Sequence, residues 1–473
     1  MRVSEITTLV FCGFSGATLL YVTNYSENIV TLELTQTSLK VKATTPGCGD
    51  ESQYLTPDFD NKRLFCLDEN PRKGTIVSYE VKENGTLSRQ ASVETIAGPV
   101  ASTLYNDGKG LAVAHFIGAG FTTFDVDSSN GNSITPIDSE VYTMAVEGPN
   151  DLRQEHPHPH DAILDPDGRF VLVPDLGMDL IQRYLVMNDG RGGLLRLAPI
   201  VMPAASGPRH GVFVKTDDAP TYFYLLSEMG NSITGYLVSY PGYSSIELTQ
   251  VYYTTIHDTG GWMPDGKDVL GGEIGLSPDG NFLLVTTRTG IIFPDKMNIS
   301  FTIPNLDPNN KTMMDSDPFV NFKIDHDTGN LTKIQEFPAG GMVPRHFSYS
   351  NDGTMVAVVL SRDQRVMIID RDVKTGMLTK FKAWVHVDKE PSFVLWKQKK
   401  LPHISNERIL LIAFVALGFA SIPAYIYREK FTKLLGLSKK TSYRPLLQNQ
   451  GDEHGPDAIE MAEGIETAQP QNV

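Results

Sequence analysis

One pattern constrains this chain more than any other. A polar turn rich in Asp, Asn and Gly, leading into a short apolar strand, recurs seven times between residues 19 and 396. The instances are LLYVTN at Leu19, NKRLFCLDE at Asn61, NDGKGLAVAH at Asn106, DPDGRFVLVPD at Asp165, DDAPTYFYLLSE at Asp217, SPDGNFLLVTTR at Ser277 and SNDGTMVAVVLS at Ser350. Asp-Gly supplies the positive φ of a tight hairpin, and Val, Ile, Leu, Phe and Tyr then fill the strand. Each instance is followed by a strand of alternating character, as in NSITGYLV at Asn231 and QRVMIIDRD at Gln364. The spacing averages about 50 residues, the length of a four-stranded propeller blade. The pattern predicts an all-β, seven-bladed β-propeller over residues 19–398. A parallel α/β fold is disfavoured because no long amphipathic helices lie between the strands. A β-helix would need a shorter and stricter period. Ring closure predicts that strands near Leu19 and near Phe393 share a blade. Residues 291–317, rich in Pro, Asn and Asp, read as an insertion.

The rest of the chain reads differently. Residues 409–427 carry no charged side chain; as a helix they span roughly 28 Å, about the thickness of a hydrocarbon core. They show no polar stripe, so a single transmembrane helix is expected there, after a linker at 399–408. Arg428, Lys430, Lys433, Lys439, Lys440 and Arg444 follow the helix, against Lys397, Lys399, Lys400 and Arg408 before it. That excess puts the tail, 428–473, in the cytosol, and its acidic, apolar-poor end is expected to be disordered. YRPL at Tyr443 looks like a tyrosine-based signal for sorting machinery, or an incidental tyrosine. Five N-x-S/T sequons, at Asn24, Asn84, Asn298, Asn310 and Asn330, all precede the helix and read as glycosylation sites of an exported domain. An apolar run within residues 1–18 reads as a signal peptide, although Glu5 is out of place and only Arg2 is basic. The competing reading makes that run the first propeller strand. If the signal carries away Cys12, Cys48 and Cys66 remain, which suggests one disulfide in an exported domain; two buried thiols are the alternative. The expected topology is a single-pass type I membrane protein. Formal net charge is −15, and no basic stripe, Walker loop or dinucleotide fingerprint occurs, so nucleic acid is not an expected partner.

The stretch HPHPHDAILDPDGRFVLVPDLGMDLI, starting at His156, resembles the lactonase propeller family, which includes bacterial 6-phosphogluconolactonase and fungal carboxy-cis,cis-muconate cyclase. GPRHGVF from Gly207, GGEIGLSPDGNFLLVTTR from Gly271 and GGMVPRHFSYSNDGTMVAVV from Gly340 agree in order. CGDESQYLTPDFDNKRLFCLDE from Cys48 looks like the fungal, secreted branch. In the muconate-cyclizing members a His, two Arg and a Glu carry the site. The resemblance implies these roles for His160 in HDAILDP, Arg209 in GPRH, Glu228 in LLSEMGN and Arg288 in VTTR. No cofactor is implied.

The chemistry is reasonable for those residue types. Two guanidiniums hold a carboxylate or phosphate bidentately and stabilise a developing oxyanion. His160 can serve as general acid or base; Glu228 can act as base, or orient His160 or an Arg. Each has a plainer reading: a solvated His-Pro loop, surface ion-pair partners, a turn carboxylate. Arg345 and His346 repeat the PRH of Arg209 and His210; this is repeat architecture first and substrate binding second. Glu273 is ambiguous. HPHPH makes chelation geometrically possible because alternate residues of an extended segment point the same way. No confirming carboxylate cluster appears, so no metal is assigned. Two functions of different class follow: a lactonase or cyclase acting on a small anionic lactone or carboxylate, and a cell-surface glycoprotein that keeps the propeller only as a binding platform. Export counts against the family's cytosolic substrates.

Overall fold

The computed structural model describes residues 18–126, 133–187, 192–257, 269–289 and 301–398. The expected signal peptide, transmembrane helix, cytosolic tail, Tyr443 and Asn298 lie outside the described residues. Among the described residues there is no helix long and apolar enough to cross a membrane.

Seven four-stranded antiparallel sheets follow one another, as the turn pattern predicts. The first blade combines Thr18–Thr23, Asn28–Leu34 and Leu39–Pro46 with Phe393–Trp396 from the far end of the repeat. Leu20 pairs with Trp396 and Thr23 with Phe393, so the ring closes where the sequence places it. In the sixth blade a small hairpin, Phe301–Pro304 with Met313–Ser316, sits between the second strand, Phe282–Thr289, and the third, Pro318–Ile324. The described part of the expected insertion is this hairpin.

All seven turn-strand motifs prove to be the second strand of a blade. Arg63–Asp68, Gly110–His115, Phe170–Asp175 and Tyr222–Ser227 are buried along their whole length. They are covered on both faces, which is why they read as unbroken apolar runs. Two of the turns before second strands are capped from their first residue: Asp165 Oδ1 accepts from Phe170 N at 2.7 Å, and Ser277 Oγ from Phe282 N at 3.0 Å. Gly168 and Gly280 take the positive φ these turns need, at 69° and 75°. Seven apolar clusters then lie one between each pair of neighbouring blades, the last joining Leu20, Val22 and Leu32 to Ala357, Val359 and Ile368.

Cys48 and Cys66 are bonded, with Cα atoms 5.7 Å apart, tying the segment before the second blade to that blade's second strand. Asn84, Asn310 and Asn330 are exposed. Asn24 requires correction as a glycosylation site: it is buried, and its Nδ2 donates to the Asp388 carbonyl at 2.7 Å. A glycan on that nitrogen would have to displace the packing that buries it.

Candidate functional site

Inner strands begin, and second strands end, on the same face of the ring. A cavity of about 600 Å³ lies there, and every blade contributes to it. Tyr25 follows the second strand of blade one, Glu69 that of blade two and Phe116 that of blade three. Arg209 and Arg345 are the second residues of the inner strands Pro208–Val214 and Pro344–Tyr349. At both, strand pairing is interrupted by a bulge. A bulge re-aims the side chain it carries, here toward the cavity, while the following His210 and His346 line a smaller space of about 10 Å³. His160 precedes the fourth blade's inner strand, Glu228 follows Tyr222–Ser227, and Arg288 lies in Phe282–Thr289.

His160, Arg209, Glu228 and Arg288 therefore come together around one cavity, and Arg345 joins them. His346 does not line it: its ring stacks on Phe393 with centroids 3.7 Å apart, and its Nδ1 accepts from Val394 N at 3.4 Å. Glu273 also lies in the deeper layer, 3.8 Å from His210 Nδ1, which Asp161 Oδ2 approaches at 3.1 Å.

Glu228 is the centre of the charge arrangement. It is fully buried and receives three guanidiniums: Arg209 Nε at 2.8 Å, Arg288 Nη2 at 2.7 Å, and Arg153 Nη2. Burial alone would raise its pKa; Arg153, Arg288 and Arg209 outweigh burial and hold the carboxyl well below the usual range. Glu228 is thus locked as a carboxylate, a poor proton acceptor and a good anchor. Arg209 also donates to the Gly272 carbonyl. Burial pulls Arg288 down to about 9 against the attraction of Glu228, with Arg209, Arg345 and Arg153 adding to the depression. It stays charged at neutral pH. A second cluster sits opposite: Tyr25 hydroxyl donates to Glu69 and accepts from Arg345, whose Nη2 is 3.6 Å from the Glu69 carboxylate.

His160 is kept neutral. Burial lowers its pKa most, and Arg209, His210 and Arg288 push the same way. Its Nδ1 is buried without a hydrogen-bond partner, an uncommon state for an imidazole. Five arginines and three glutamates line the cavity, so its local field is positive in a chain of formal net charge −15.

Arg153, Tyr25 and Glu69 were not singled out by sequence. Arg153 comes from a loop with no repeated pattern, whereas Glu69 ends the NKRLFCLDE motif and Tyr25 directly follows LLYVTN. Position in the repeat was the signal available for Tyr25 and Glu69.

Fold and site together define a seven-bladed propeller whose blades converge on an arginine-rich cavity, an arrangement suited to a small anion. The chain belongs to the lactonase family: residues 19–396 match the family described as Lactonase, 7-bladed beta-propeller. A protein of Arthroderma benhamiae named probable 6-phosphogluconolactonase is 27% identical over 354 residues, 74% of this chain and 82% of that one. A 6-phosphogluconolactonase of Formosa agariphila is 24% identical over 335 residues, covering 70% and 84%. Among solved structures, the periplasmic gluconolactonase PpgL of Pseudomonas aeruginosa superposes with a TM-score of 0.66 at 24% identity, over 80% of this chain and 99% of that one. That likeness is one of fold.

Proposed function

We propose that this chain is a lactone hydrolase acting on a small anionic lactone, bound in the cavity where the central channel opens. The observation that carries the reading is the convergence of His160, Arg209, Glu228 and Arg288 on one cavity of about 600 Å³ in a member of the lactonase family. The names of its relatives support the reaction class.

His160, held neutral by burial and lining the cavity, accepts a proton from water as the water oxygen bonds to the lactone carbonyl carbon. The carbonyl oxygen gains negative charge, and Arg209 and Arg288 stabilise it. The acyl carbon–ring oxygen bond then breaks, and the proton on His160 passes to the departing alkoxide, giving a hydroxy acid. Glu228 acts as a positioning residue, because three arginines hold it ionised and it holds two of them in place. Arg345, more open than Arg209 or Arg288, receives the substrate's carboxylate or phosphate.

The same reading puts the propeller outside the cytosol on a C-terminal anchor. The Cys48–Cys66 bond and the exposed sequons at Asn84, Asn310 and Asn330 support export. The test is a panel of anionic and neutral lactones offered to the full-length protein and to Arg345→Ala. Anionic lactones should be turned over, and the variant should bind them about 2 kcal/mol more weakly, with little change for neutral ones. Hydrolysis of none of them would leave the propeller as a binding platform.

A further inference from the structure

We propose that Glu155, His156 and His158 form a binding site for a divalent transition-metal ion of the zinc type, at the edge of the cavity and distinct from it. One donor atom from each residue lies within 4.8 Å of the others. Donors bound about 2.1 Å from one ion stand roughly 3–4 Å apart, so small side-chain movements complete the site.

The hydrogen bonds of both imidazoles prepare it. His158 Nδ1 lies 3.0 Å from the Phe116 carbonyl oxygen, and His156 Nδ1 lies 3.1 Å from that of Pro157. A carbonyl only accepts, so each Nδ1 carries a proton, and in that neutral tautomer Nε2 presents a lone pair. Those two Nε2 atoms face the same oxygen, Glu155 Oε1, at 3.1 and 3.6 Å. In the neutral tautomer both Nε2 lone pairs converge on the carboxylate oxygen, a repulsion relieved by a proton on Nε2, as in the 3.1 Å His158 Nε2–Glu155 Oε1 contact, or by a cation. A cation resolves that repulsion, and an Nδ1–H bonded to a backbone carbonyl is how ligating histidines are usually oriented.

The backbone under the site is fixed. His158 N donates to Asp175 Oδ1 at 2.8 Å, and Leu176 N donates to the His158 carbonyl at 3.0 Å. Gly177 leaves the room needed for this crossing: a Cβ there would lie 1.9 Å from the His156 carbonyl oxygen. Glu155 is exposed, His156 partly so and His158 buried, which gives a rigid floor and an open entrance. Two imidazoles and one carboxylate suit zinc and its neighbours better than calcium or magnesium, which prefer all-oxygen sets. The sequence reading assigned no metal to HPHPH for want of a carboxylate. Glu155 supplies it from the position just before the motif, while His160 departs to the cavity.

The ion would act on the neighbouring site by position. The Phe116 ring stacks on His158 at 4.0 Å, meets His160 edge-on at 5.4 Å and lies 5.6 Å from the Arg153 guanidinium. Holding His158 holds the loop that places both Arg153 and His160. This inference stands whether or not the chain hydrolyses lactones.

The test is zinc competition against a chromogenic chelator, using untagged full-length protein stripped of metal at neutral pH. His156→Ala and Glu155→Gln change exposed or half-exposed groups, and His386→Ala, at an exposed histidine elsewhere, is the control. One zinc per chain is expected, with affinity weakened more than about tenfold in both site variants and unchanged in the control. Zinc should also raise the melting temperature of the wild type but not of His156→Ala. Absence of a stoichiometric ion, or unchanged affinity in either site variant, overturns the proposal.

Discussion

Three guanidiniums around the fully buried Glu228 make that carboxylate more consequential for the fold than any single arginine beside it. Glu228→Gln keeps the shape but leaves three buried or half-buried cations around a neutral amide. Removing one partner of such a set costs about 3–5 kcal/mol, so the urea midpoint should fall sharply. An unchanged midpoint would mean that the arginines find other partners. His115 illustrates the opposite case, an imidazole held neutral. It is fully buried, its Nε2 lies 2.7 Å from Thr122 Oγ1, and burial lowers its pKa to about 3. In the unfolded chain it titrates near 6.5. Below that value the unfolded state takes up a proton that the folded state refuses, so stability is lost as pH falls. At pH 5 the loss approaches about 2 kcal/mol for this one group. Urea denaturation of wild type and His115→Asn at pH 7.5 and 5.0 checks it: the wild type should lose stability relative to the variant on acidification. A gap independent of pH would refute the assignment.

Elements differ in how plainly the sequence announces them. Second strands such as Phe170–Asp175 are buried on both faces and follow capped Asp-Gly or Ser-x-Asp-Gly turns, so composition and turn chemistry agree. Outer strands such as Leu39–Pro46 and Thr135–Val141 are almost wholly exposed, and nothing in their apolar spacing marks them. The site divides in the same way. His160, Arg209, Glu228 and Arg288 were legible through the resemblance to the lactonase propellers, carried by HDAILDP, GPRH, LLSEMGN and VTTR. Arg153 approaches Glu228 from a loop whose sequence has no period, and so escapes pattern reading. The two PRH tripeptides looked equivalent along their length, yet a bulge splits each, sending Arg345 to the cavity and His346 to the layer beneath. The disulfide also belongs to this scale. It closes a separation of 18 residues between the start of blade two and its second strand. Replacing Cys48 and Cys66 together by Ala should cost about 3 kcal/mol in the chain-entropy account, read as a lower denaturant midpoint under oxidising conditions. Equal midpoints would show that the bond does not stabilise the blade.

At the scale of the molecule, the ring of blades is a means of gathering distant residues. Tyr25 and Glu390 are 365 positions apart in sequence and line one cavity because Phe393–Trp396 closes the first blade. Seven apolar interfaces make the ring a rigid frame, so the strand ends at its mouth hold fixed positions. The frame alone does not choose between catalysis and display, since propellers serve both. The choice rests on His160, a neutral imidazole lining the cavity and equipped to move a proton while arginines hold the anion. The most direct measurement is kcat/KM for hydrolysis of an anionic sugar lactone by the full-length protein and by His160→Ala, each corrected for spontaneous ring opening. The account predicts hydrolysis by the wild type and a fall of about a hundredfold or more in the variant, with the fold retained. Hydrolysis by the variant at the wild-type rate would contradict it.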